Sequence, residues 1–577
     1  IGLFLSLGAY AQQITVKGHV KDASGEPIIG ANVVVKGTST GTITDVDGNF
    51  QIQAPKGVLL QVSFVGYTSS EVQAVANVTV ILKEDSQVID DVVVIGYATG
   101  SSRTVSGAVQ KVGRKEMNAG IIANPLSAIK GKVAGVNIQK TGGDPTAAPA
   151  IRVRGTTSLT GGNDPLVIID GVFGDLNMLN AISPADIENF TVLKDASETA
   201  QYGSRGASGV IVVTTVKGKN GVKSMSYDGS FGIESVYKNL DMLSAAEYRS
   251  VAQERGISIL DKGANTNFIE EMQRTGYTQN HRLSFSNGND DSNYRASIGV
   301  IDQKGILKNN SMRNYTAKLD AMQNMFKNKL KIEFGMFGSL KQSRYINDYQ
   351  KTFYSAASFN PTFPNVVNPE TGMWDENANA NEVQNPLGRL SINDRENNVF
   401  INTNARITWS IIPDLKLSAF GSYTYNVKEN MKYIPSTIKA GLSNRGEAYR
   451  GDNKSQSLLG NLMLTYKKAF GKHYINALGL AEVQRVINTG FGANVHGFSS
   501  DDFGYNNLQA GAVLKWGDNT SYHNNPSLSS FMGRVNYSYA DKYIVTLNAR
   551  TDGSSKVGAN NKWAFFPSAS VAWVASQ

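Results

Sequence analysis

Polar and apolar side chains alternate along most of the chain from residue 218 onward. Clear apolar series, with polar residues at the positions between, are Leu330, Ile332, Phe334, Met336 and Leu415, Leu417, Ala419. Near the end of the chain Tyr543, Val545, Leu547 and Ala549 face oppositely to Thr546, Asn548 and Arg550. A period of two is that of a β-strand with one apolar and one polar face. The pattern therefore predicts a long series of antiparallel strands.

These predicted strands resemble those of a membrane barrel more than those of a water-soluble sandwich. They run for roughly ten residues and carry aromatic residues near their ends, as expected for a lipid-facing band with an aromatic girdle. Tight connections such as residues 539–543 are predicted to be periplasmic turns, and the polar stretches 345–394 and 488–528 extracellular loops. No apolar run approaches the roughly 20 residues that a transmembrane helix needs.

Residues 13–84 predict a small β-sandwich, because several short alternating strands are separated by turn residues. The stretch 44–50 within it places side-chain oxygens on Asp45, Asp47 and Asn49, which invites a calcium interpretation. The EF-hand pattern fails, since Phe50 stands where that loop needs glycine. A hairpin turn at Asp47 and Gly48 explains the stretch better, because both residue types tolerate positive φ.

Residues 104–217 predict a mixed unit of strands and short helices. The expected elements are a short helix near 126–129, a helix opened by Ser183 and Pro184, a glycine-rich loop at 203–209, and strands near 151–155, 165–171, 190–194 and 210–216. A phosphate-binding interpretation of the glycine-rich loop fails because the loop lacks the P-loop lysine and precedes a strand, not a helix.

A short β-branched run separates these two units. It comprises Asp91, Val92, Val93, Val94, Ile95, Gly96 and Tyr97, and a polar stretch follows it. An apolar strand on a tether is suited to capture by a partner through strand addition. From the residues alone, the last strand of the preceding sandwich is an equally good interpretation.

Both ends of the chain suggest missing sequence. Residues 1–11 (IGLFLSLGAYA) match the second half of a secretory signal peptide, although a buried strand is an alternative. Residues 571–577 stop inside a predicted strand, whereas a barrel closes on its last strand. We therefore expect the chain to be truncated at both ends.

Composition narrows the chemistry. The 577 residues contain no Cys and only 5 scattered His, which excludes thiolate chemistry and disfavours metal sites. The net charge of +8 is spread along the chain, so a solvated surface or lumen is favoured over nucleic-acid binding. We expect no catalytic residue, cofactor or metal.

The motifs identify a resemblance. The chain resembles the SusC/RagA family of TonB-dependent outer-membrane transporters, on the motifs at 91–97 (DVVVIGY), 193–197 (LKDAS), 202–211 (YGSRGASGVI), 151–155 (IRVRG) and 165–171 (PLVIIDG). The first unit is similar to the carboxypeptidase-regulatory-like domain at 20–22, 27–33 and 47–50. The resemblance implies a TonB box and linker at 88–103, a plug domain at 104–217 and the N-terminal part of a barrel at 218–577. A full barrel of 22 strands is implied, of which this length would hold about half to two-thirds.

The resemblance also implies a function. It is active import of an oligosaccharide or a peptide, using TonB with its inner-membrane energising complex and a SusD-like surface lipoprotein, with the barrel in outer-membrane lipid and the N-terminal domain in the periplasm. We expect TonB to bind residues 91–97, and Arg152, Arg154, Glu188 and Arg205 either to make polar contacts between plug and barrel or to be ordinary surface charges of the plug. The alternatives are a surface binding protein or adhesin without active transport, and an enzyme, against which the lack of a nucleophile–base constellation argues.

Overall fold

The structure is a computed structural model that describes residues 13–22, 25–36, 38, 40–64, 67, 69–82, 92–95, 97–101, 109–140, 143–159, 161–219, 221, 223–377 and 383–575. The predicted signal-peptide remnant, Asp91 and Gly96 lie outside the described residues. The described chain separates into two compact units, one holding the N-terminal domain and the other holding the rest.

The N-terminal unit is the predicted β-sandwich. Its strands are β1 (Gln13–Lys21), β2 (Asn32–Val35), β3 (Gly41–Ile43), β4 (Asn49–Pro55), β5 (Leu59–Ser63), β6 (Ser70–Gln73) and β7 (Asn77–Ile81). They form one sheet in the order β4-β1-β7 and another in the order β3-β2-β5-β6. Alternate residues of the strands, including Val16, Val20, Val33 and Leu60, are fully buried between the sheets.

The turn at 44–50 differs from the prediction in one respect. The Asp45 carboxylate accepts hydrogen bonds from the backbone N–H groups of Asp47 and Asn49, and Gly48 has φ +75°. The turn is therefore present, but the hairpin prediction was wrong, because β3 and β4 belong to different sheets. The chain crosses from one layer of the sandwich to the other at this point.

The second unit begins at Val93, within a two-stranded sheet, and continues into an α+β domain. The elements are β8 (Val92–Ile95), β9 (Ala98–Ser101), β10 (Val109–Gly113), α1 (Pro125–Ala128), β11 (Val136–Gln139), β12 (Ala150–Val153), β13 (Leu166–Ile169), β14 (Val172–Gly174), α2 (Leu176–Asn180), β15 (Ile187–Leu193), α3 (Ala196–Thr199) and β16 (Val210–Thr215). Strand β8 pairs with β9, and the main sheet of the domain has the order β10-β15-β16-β13-β14. We call residues 109–217 the plug.

Two local predictions for the plug were wrong in part. The helix opened by Ser183 and Pro184 is present, but only as a single 3₁₀ turn, Pro184–Asp186, because β15 begins directly after it. The Ser183 side chain makes no capping hydrogen bond, so that part of the prediction was wrong. The predicted glycine-rich loop starts inside a 3₁₀ helix, Ala200–Gly206, which kinks at Gly203, where φ is +58°. A positive φ costs a glycine little, and it lets the chain reverse there.

The remainder of the chain forms one large antiparallel sheet. Its strands are β17 (Ser224–Glu234), β18 (Gly276–Gly288), β19 (Ser292–Lys304), β20 (Ser311–Met325), β21 (Leu330–Tyr345), β22 (Asn393–Ile412), β23 (Leu415–Ile434), β24 (Glu447–Phe470), β25 (His473–Phe498), β26 (Gly511–Val513), β27 (Asn519–Asn524), β28 (Ser527–Tyr539), β29 (Tyr543–Ser554) and β30 (Trp563–Trp573). Neighbours in sequence are neighbours in space from β17 to β25 and from β28 to β30, with β28 beside β25. In the described residues β17 and β30 are the edges, so the sheet is open.

The alternation predicted from the sequence is confirmed. On β21, Phe334 and Met336 are 40% and 41% exposed, whereas Phe337 is 4% exposed. On β29, Leu547 is exposed, whereas Asn548 and Arg550 are buried. The sheet therefore has an outer face of apolar residues and an inner face of mostly polar residues. Apart from the short strands β26 and β27, its strands are longer than predicted, at 11 to 26 residues.

The connections divide into two classes, as predicted. Short turns at one end, the turn end, are residues 289–291, 326–329, 413–414, 471–472 and 540–542. Longer connections at the other end, the loop end, are residues 235–275, 305–310, 346–392, 435–446, 499–526 and 555–562, and they hold α4 (Ala245–Glu254), α5 (Phe268–Glu271), α6 (Tyr349–Ser358), α7 (Pro386–Leu390) and α8 (Lys439–Leu442). Residues 488–528 are not one loop: β25 continues to Phe498, and β26 and β27 pair with its end, which satisfies backbone groups that β28 does not reach.

Two loop-end connections have a core of their own. Residues of α5, α6 and α7 bury Phe268, Phe359 and Phe363 against one another, and Phe363 is fully buried. Backbone hydrogen bonds join residues 264 and 266 of one connection to 362 and 361 of the other.

Among the described residues, no helix is both long and apolar enough to cross a membrane.

Candidate functional site where the plug meets the sheet

The plug packs against the inner face of the large sheet. Its hydrophobic core, built on β13, β15 and β16, continues into four side chains of that face: Phe337, Phe400, Phe420 and Leu459. The other contacts between the plug and this face that are described below are hydrogen bonds and ion pairs.

Tyr97, the last residue of the predicted TonB box, is held between the plug and the inner face. Its hydroxyl donates a hydrogen bond of 2.6 Å to Oε2 of Glu482 on β25. Its ring stacks on Tyr202, with centroids 5.6 Å apart, and meets Phe173 edge-on at 6.0 Å. The ring also packs against a small apolar cluster of the inner face: Met463, Leu478, Leu480 and Met532.

Arg205 of the plug shares the same glutamate. Its guanidinium donates 2.7 Å hydrogen bonds to Glu482 Oε1 and to Gln484 Oε1. It also lies over the Phe173 ring, 4.5 Å from the centroid, in cation–π geometry. The glutamate side chain is only 2% exposed. A charge buried in a low-dielectric environment is costly unless it is paired, so the Glu482 carboxylate depends on these partners.

Arg550 of β29 completes the cluster. Its guanidinium lies 3.4 Å from Glu482 Oε1, donates at 2.6 Å to Asp552 Oδ1, and donates at 2.8 Å to the backbone carbonyl of Gln201 in the plug. The kink at Gly203 brings the backbone against Asp552, where a Cβ would collide with the carboxylate. We call Tyr97, Arg205, Glu482 and Arg550 the plug junction.

The electrostatics of the plug junction keep Tyr97 protonated. Burial, reinforced by the Glu482 carboxylate, raises the pKa of the Tyr97 hydroxyl well above its ordinary value, against the opposing effect of Arg550 and Arg205. Tyr97 is therefore a hydrogen-bond donor at neutral pH, and Glu482 is its acceptor. The segment that carries Tyr97 is thus fastened by one hydroxyl and one aromatic ring.

Two further buried ion pairs hold the plug. Arg534 of β28 lies 3.4 Å from Glu198 of the plug, and burial raises the pKa of Glu198, with Arg534 opposing the shift. On the opposite side of the plug, Asp186 forms an ion pair with Arg282 of β18, and its two carboxylate oxygens share one hydrogen bond from the Ser297 hydroxyl of β19, at 2.9 and 3.0 Å. Asp186 is 3% exposed. The plug is therefore anchored at both ends of the described sheet.

The four plug residues selected from the sequence have different environments. Arg205 contacts the sheet, as described above. Arg152 pairs with Asp164 at 2.6 Å, and Arg154 pairs with Asp195 at 2.5 Å, so both arginines are bound within the plug and not to the sheet. Glu188 is half-buried on β15, and among the described residues no ion pair joins it to the sheet.

Sequence reasoning missed Asp186, Glu198, Glu482 and Arg534. A signal was present for Glu482 and Arg534, because charged residues in an alternating strand at positions facing away from the apolar series must line the inner face. Asp186 and Glu198 lie on a turn and a short helix of the plug, where no such pattern marks them. Arg550 was assigned to such a polar face. The sequence contains many inward polar positions, however, and only folding selects those that meet the plug.

The comparisons with known proteins agree with this architecture. Residues 16–94 match the CarboxypepD_reg-like domain family, and residues 101–210 match the TonB-dependent Receptor Plug Domain family. The TonB-dependent receptor SusC of Bacteroides thetaiotaomicron is 38% identical over 609 aligned residues, covering 99% of this chain and 59% of SusC. The TonB-dependent receptor P3 of Formosa agariphila is 34% identical, covering 99% of this chain and 58% of P3. The chain thus spans less than two thirds of these relatives.

Solved structures share the fold. The RagAB peptide transporter superposes with a TM-score of 0.70 at 24% identity, covering 81% of this chain and 57% of that one. The unliganded ferric citrate transporter FecA superposes with a TM-score of 0.51 at 10% identity, covering 81% of this chain and 60% of that one. With the regulatory-like domain, the plug and the antiparallel sheet in this order, and with SusC aligned along nearly the whole chain, the protein belongs to the SusC/RagA family of TonB-dependent receptors.

Proposed function

We propose that this protein imports a nutrient, an oligosaccharide or a peptide, across the outer membrane with energy supplied by TonB. The observation that carries the proposal is the plug junction. Tyr97 of the predicted TonB box shares Glu482 with Arg205, so a shift of the plug that moves Arg205 also disturbs the bond that holds Tyr97. One buried carboxylate therefore couples plug position to release of the segment.

The proposed sequence of events follows from this coupling. Substrate binds from the loop end, which faces the exterior, and displaces the plug enough to weaken the plug junction. Residues 91–97 then enter the periplasm, where TonB adds a strand to β8. Roughly four or five backbone hydrogen bonds at about 1 kcal/mol each would give a binding free energy of a few kcal/mol between TonB and this strand. Pulling on that strand remodels the plug, and substrate passes without any covalent step.

The proposed partners follow the same division of the molecule. A SusD-like lipoprotein covers the loop end, the outer face contacts outer-membrane lipid, and the N-terminal domain lies in the periplasm. The RagAB structure is described as a peptide transporter, and SusC as a TonB-dependent receptor. Both support an importer, and they leave glycan and peptide as the two substrate classes to be separated by experiment.

The test uses the full-length gene and strand addition itself. Val93→Pro removes a backbone N–H from β8 and disfavours added pairing, whereas Val93→Thr retains the N–H and the β-branched shape. A gene-deletion strain first identifies the oligosaccharide or peptide mixture on which growth depends. We expect the proline variant to bind that nutrient at the cell surface but to lose growth on it, and the threonine variant to grow normally at equal outer-membrane abundance.

Other outcomes would overturn the proposal. Normal growth of the proline variant, or of a strain lacking residues 91–97, removes the TonB-box role. Surface binding without any growth phenotype in the gene-deletion strain, and without dependence on the proton gradient, identifies a binding protein or adhesin instead of an importer.

A further inference from the structure

The outer face of β21 contains a sharp boundary between apolar and polar residues. From Leu330 to Leu340 the outward residues are apolar or glycine, and the next two outward residues are Gln342 and Arg344. Eleven strand residues, tilted by about 40°, cover about 27 Å along the membrane normal. That is close to the height of a lipid-facing band, roughly 25 Å. Gln342 and Arg344 therefore lie where the band ends towards the loop end.

The neighbouring strands change character beside it. The backbone register pairs Val300, Tyr315, Leu340 and Val399 across β19 to β22, which makes a continuous apolar row. Two residues further towards the loop end, the outward row becomes Asp302, Arg313, Gln342 and Asn397. The row after that is Lys304, Ser311, Arg344 and Arg395. These two polar rows line an outward recess of about 300 Å³.

The recess has an excess of positive charge. Its lining includes four cations, Lys304, Arg313, Arg344 and Arg395, against the single carboxylate Asp302, which is bound to Arg313 at 3.0 Å. One strand further, Glu429 is bound to Asn397 at 3.5 Å. The lining therefore leaves three of its cations without a carboxylate partner among the lining residues.

Two arginines are directly opposed in this recess. Arg344 and Arg395 are cross-strand partners, and like charges in that position repel each other. Nε of Arg395 donates to Asn393, whereas Nε of Arg344 is buried with no hydrogen-bond partner in the described part of the chain. Two guanidinium groups side by side are suited to bidentate contacts with an oxyanion, and phosphate matches their fork geometry.

We propose that this recess binds the phosphate group of an outer-leaflet lipid, with Arg344 and Arg395 as its principal ligands. The proposal rests on the outer-membrane location proposed above. The recess opens on the outer face at the end of the apolar row, so acyl chains of the bound lipid lie along Tyr315 and Leu340. A soluble anion would gain the charge contacts but not that apolar surface. The lipid phosphate removes the repulsion between the arginines and fixes the depth of the receptor in the membrane.

The experiment titrates the full-length receptor, purified and exchanged into lipid-free detergent, with three probes followed by native mass spectrometry. The probes are a bisphosphorylated lipid A, the same lipid after enzymatic dephosphorylation, and inorganic phosphate. The test variant is Arg344→Gln/Arg395→Gln. The matched control is Lys238→Gln/Lys351→Gln, which removes the same charge from loop-end connections outside the recess.

We expect lipid A to bind the parent and control receptors equally, and the test variant at least tenfold more weakly. The single variant Arg395→Lys keeps the charge but loses the two-pronged guanidinium, so we expect it to bind lipid A with intermediate affinity. It replaces the double variant as the test if far-ultraviolet circular dichroism shows that the double variant does not fold. Equal lipid A binding by the test variant or by dephosphorylated lipid overturns the phosphate site. If inorganic phosphate binds as tightly as lipid A, the site recognises a free phosphate and the proposal of a lipid ligand is wrong. Each readout is independent of import, so failure here and failure of the proposed transport are distinguishable.

Discussion

Removal of one hydroxyl group should loosen the predicted TonB box. Tyr97→Phe retains the ring that stacks on Tyr202 and meets Phe173, and it deletes only the hydrogen bond to Glu482. The glutamate keeps Arg205 at 2.7 Å and Arg550 at 3.4 Å, so the plug itself stays anchored. The substitution therefore separates release of the segment from loss of the plug.

The expected magnitude follows from the burial of the acceptor. Glu482 is 2% exposed, so water does not replace the lost donor at Oε2. A hydrogen bond to a charged group contributes about 1.5–3 kcal/mol, and a difference of about 1.4 kcal/mol is a tenfold change in equilibrium. The population with the segment released should rise about 10- to 150-fold without substrate.

Thiol labelling can measure that population. These 577 residues contain no cysteine, so Ala98→Cys gives them one thiol, next to Tyr97 in the chain. We expect the labelling rate by a membrane-impermeant maleimide in isolated outer membranes to rise by the same factor in Tyr97→Phe. The control is Tyr423→Phe, which removes an exposed tyrosine's 3.2 Å bond to Gln456 and should leave the rate unchanged. An unchanged rate in Tyr97→Phe would refute the reasoning that the hydroxyl fastens the segment.

Three further predictions concern the plug and the loops. Gly203→Ala should destabilise the plug by more than about 1 kcal/mol, because φ is +58° and the new Cβ meets Asp552. The control is Gly558→Ala, where no atom lies within 4 Å of the new Cβ. Differential scanning calorimetry should show a lower Tm for Gly203→Ala than for this control. Phe363→Ala should cost about 3–5 kcal/mol by opening a cavity in the loop-end core, and limited proteolysis should cleave residues 346–392 faster without loss of the sheet. Burial raises the pKa of Glu376 to about 7, so its contribution to loop stability is complete below the ordinary glutamate pKa and is lost as pH rises through about 7. Proteolysis of this loop should therefore speed up over that interval, and Glu376→Gln should remove the pH dependence; a variant that keeps it would contradict the assignment.

The local features of the fold could be predicted from the sequence. Alternation distinguishes the outer face from the inner face because a strand turns successive side chains to opposite sides, whatever its neighbours are. The short turns and long connections were recognisable from their lengths and residue types. The failures were also local: Ser183 begins a single turn because the next strand starts at once, and Asp47-Gly48 joins two sheets, which a sequence pattern cannot tell from a hairpin.

The plug junction was decided by tertiary structure alone. Tyr97 and Glu482 are 385 residues apart, and Arg205 and Glu482 are 277 apart. Every strand of the sheet offers inward polar positions, so the choice among them depends on strand register, sheet curvature and the depth at which the plug packs. Arg154 illustrates the converse, since it resembles Arg205 in the sequence but is paired with Asp195 inside the plug. The periodicity of the chain is enough to show which faces are polar and which segments are strands. Which charges meet depends on the folded arrangement, because ion pairs require proximity in space and not in the chain.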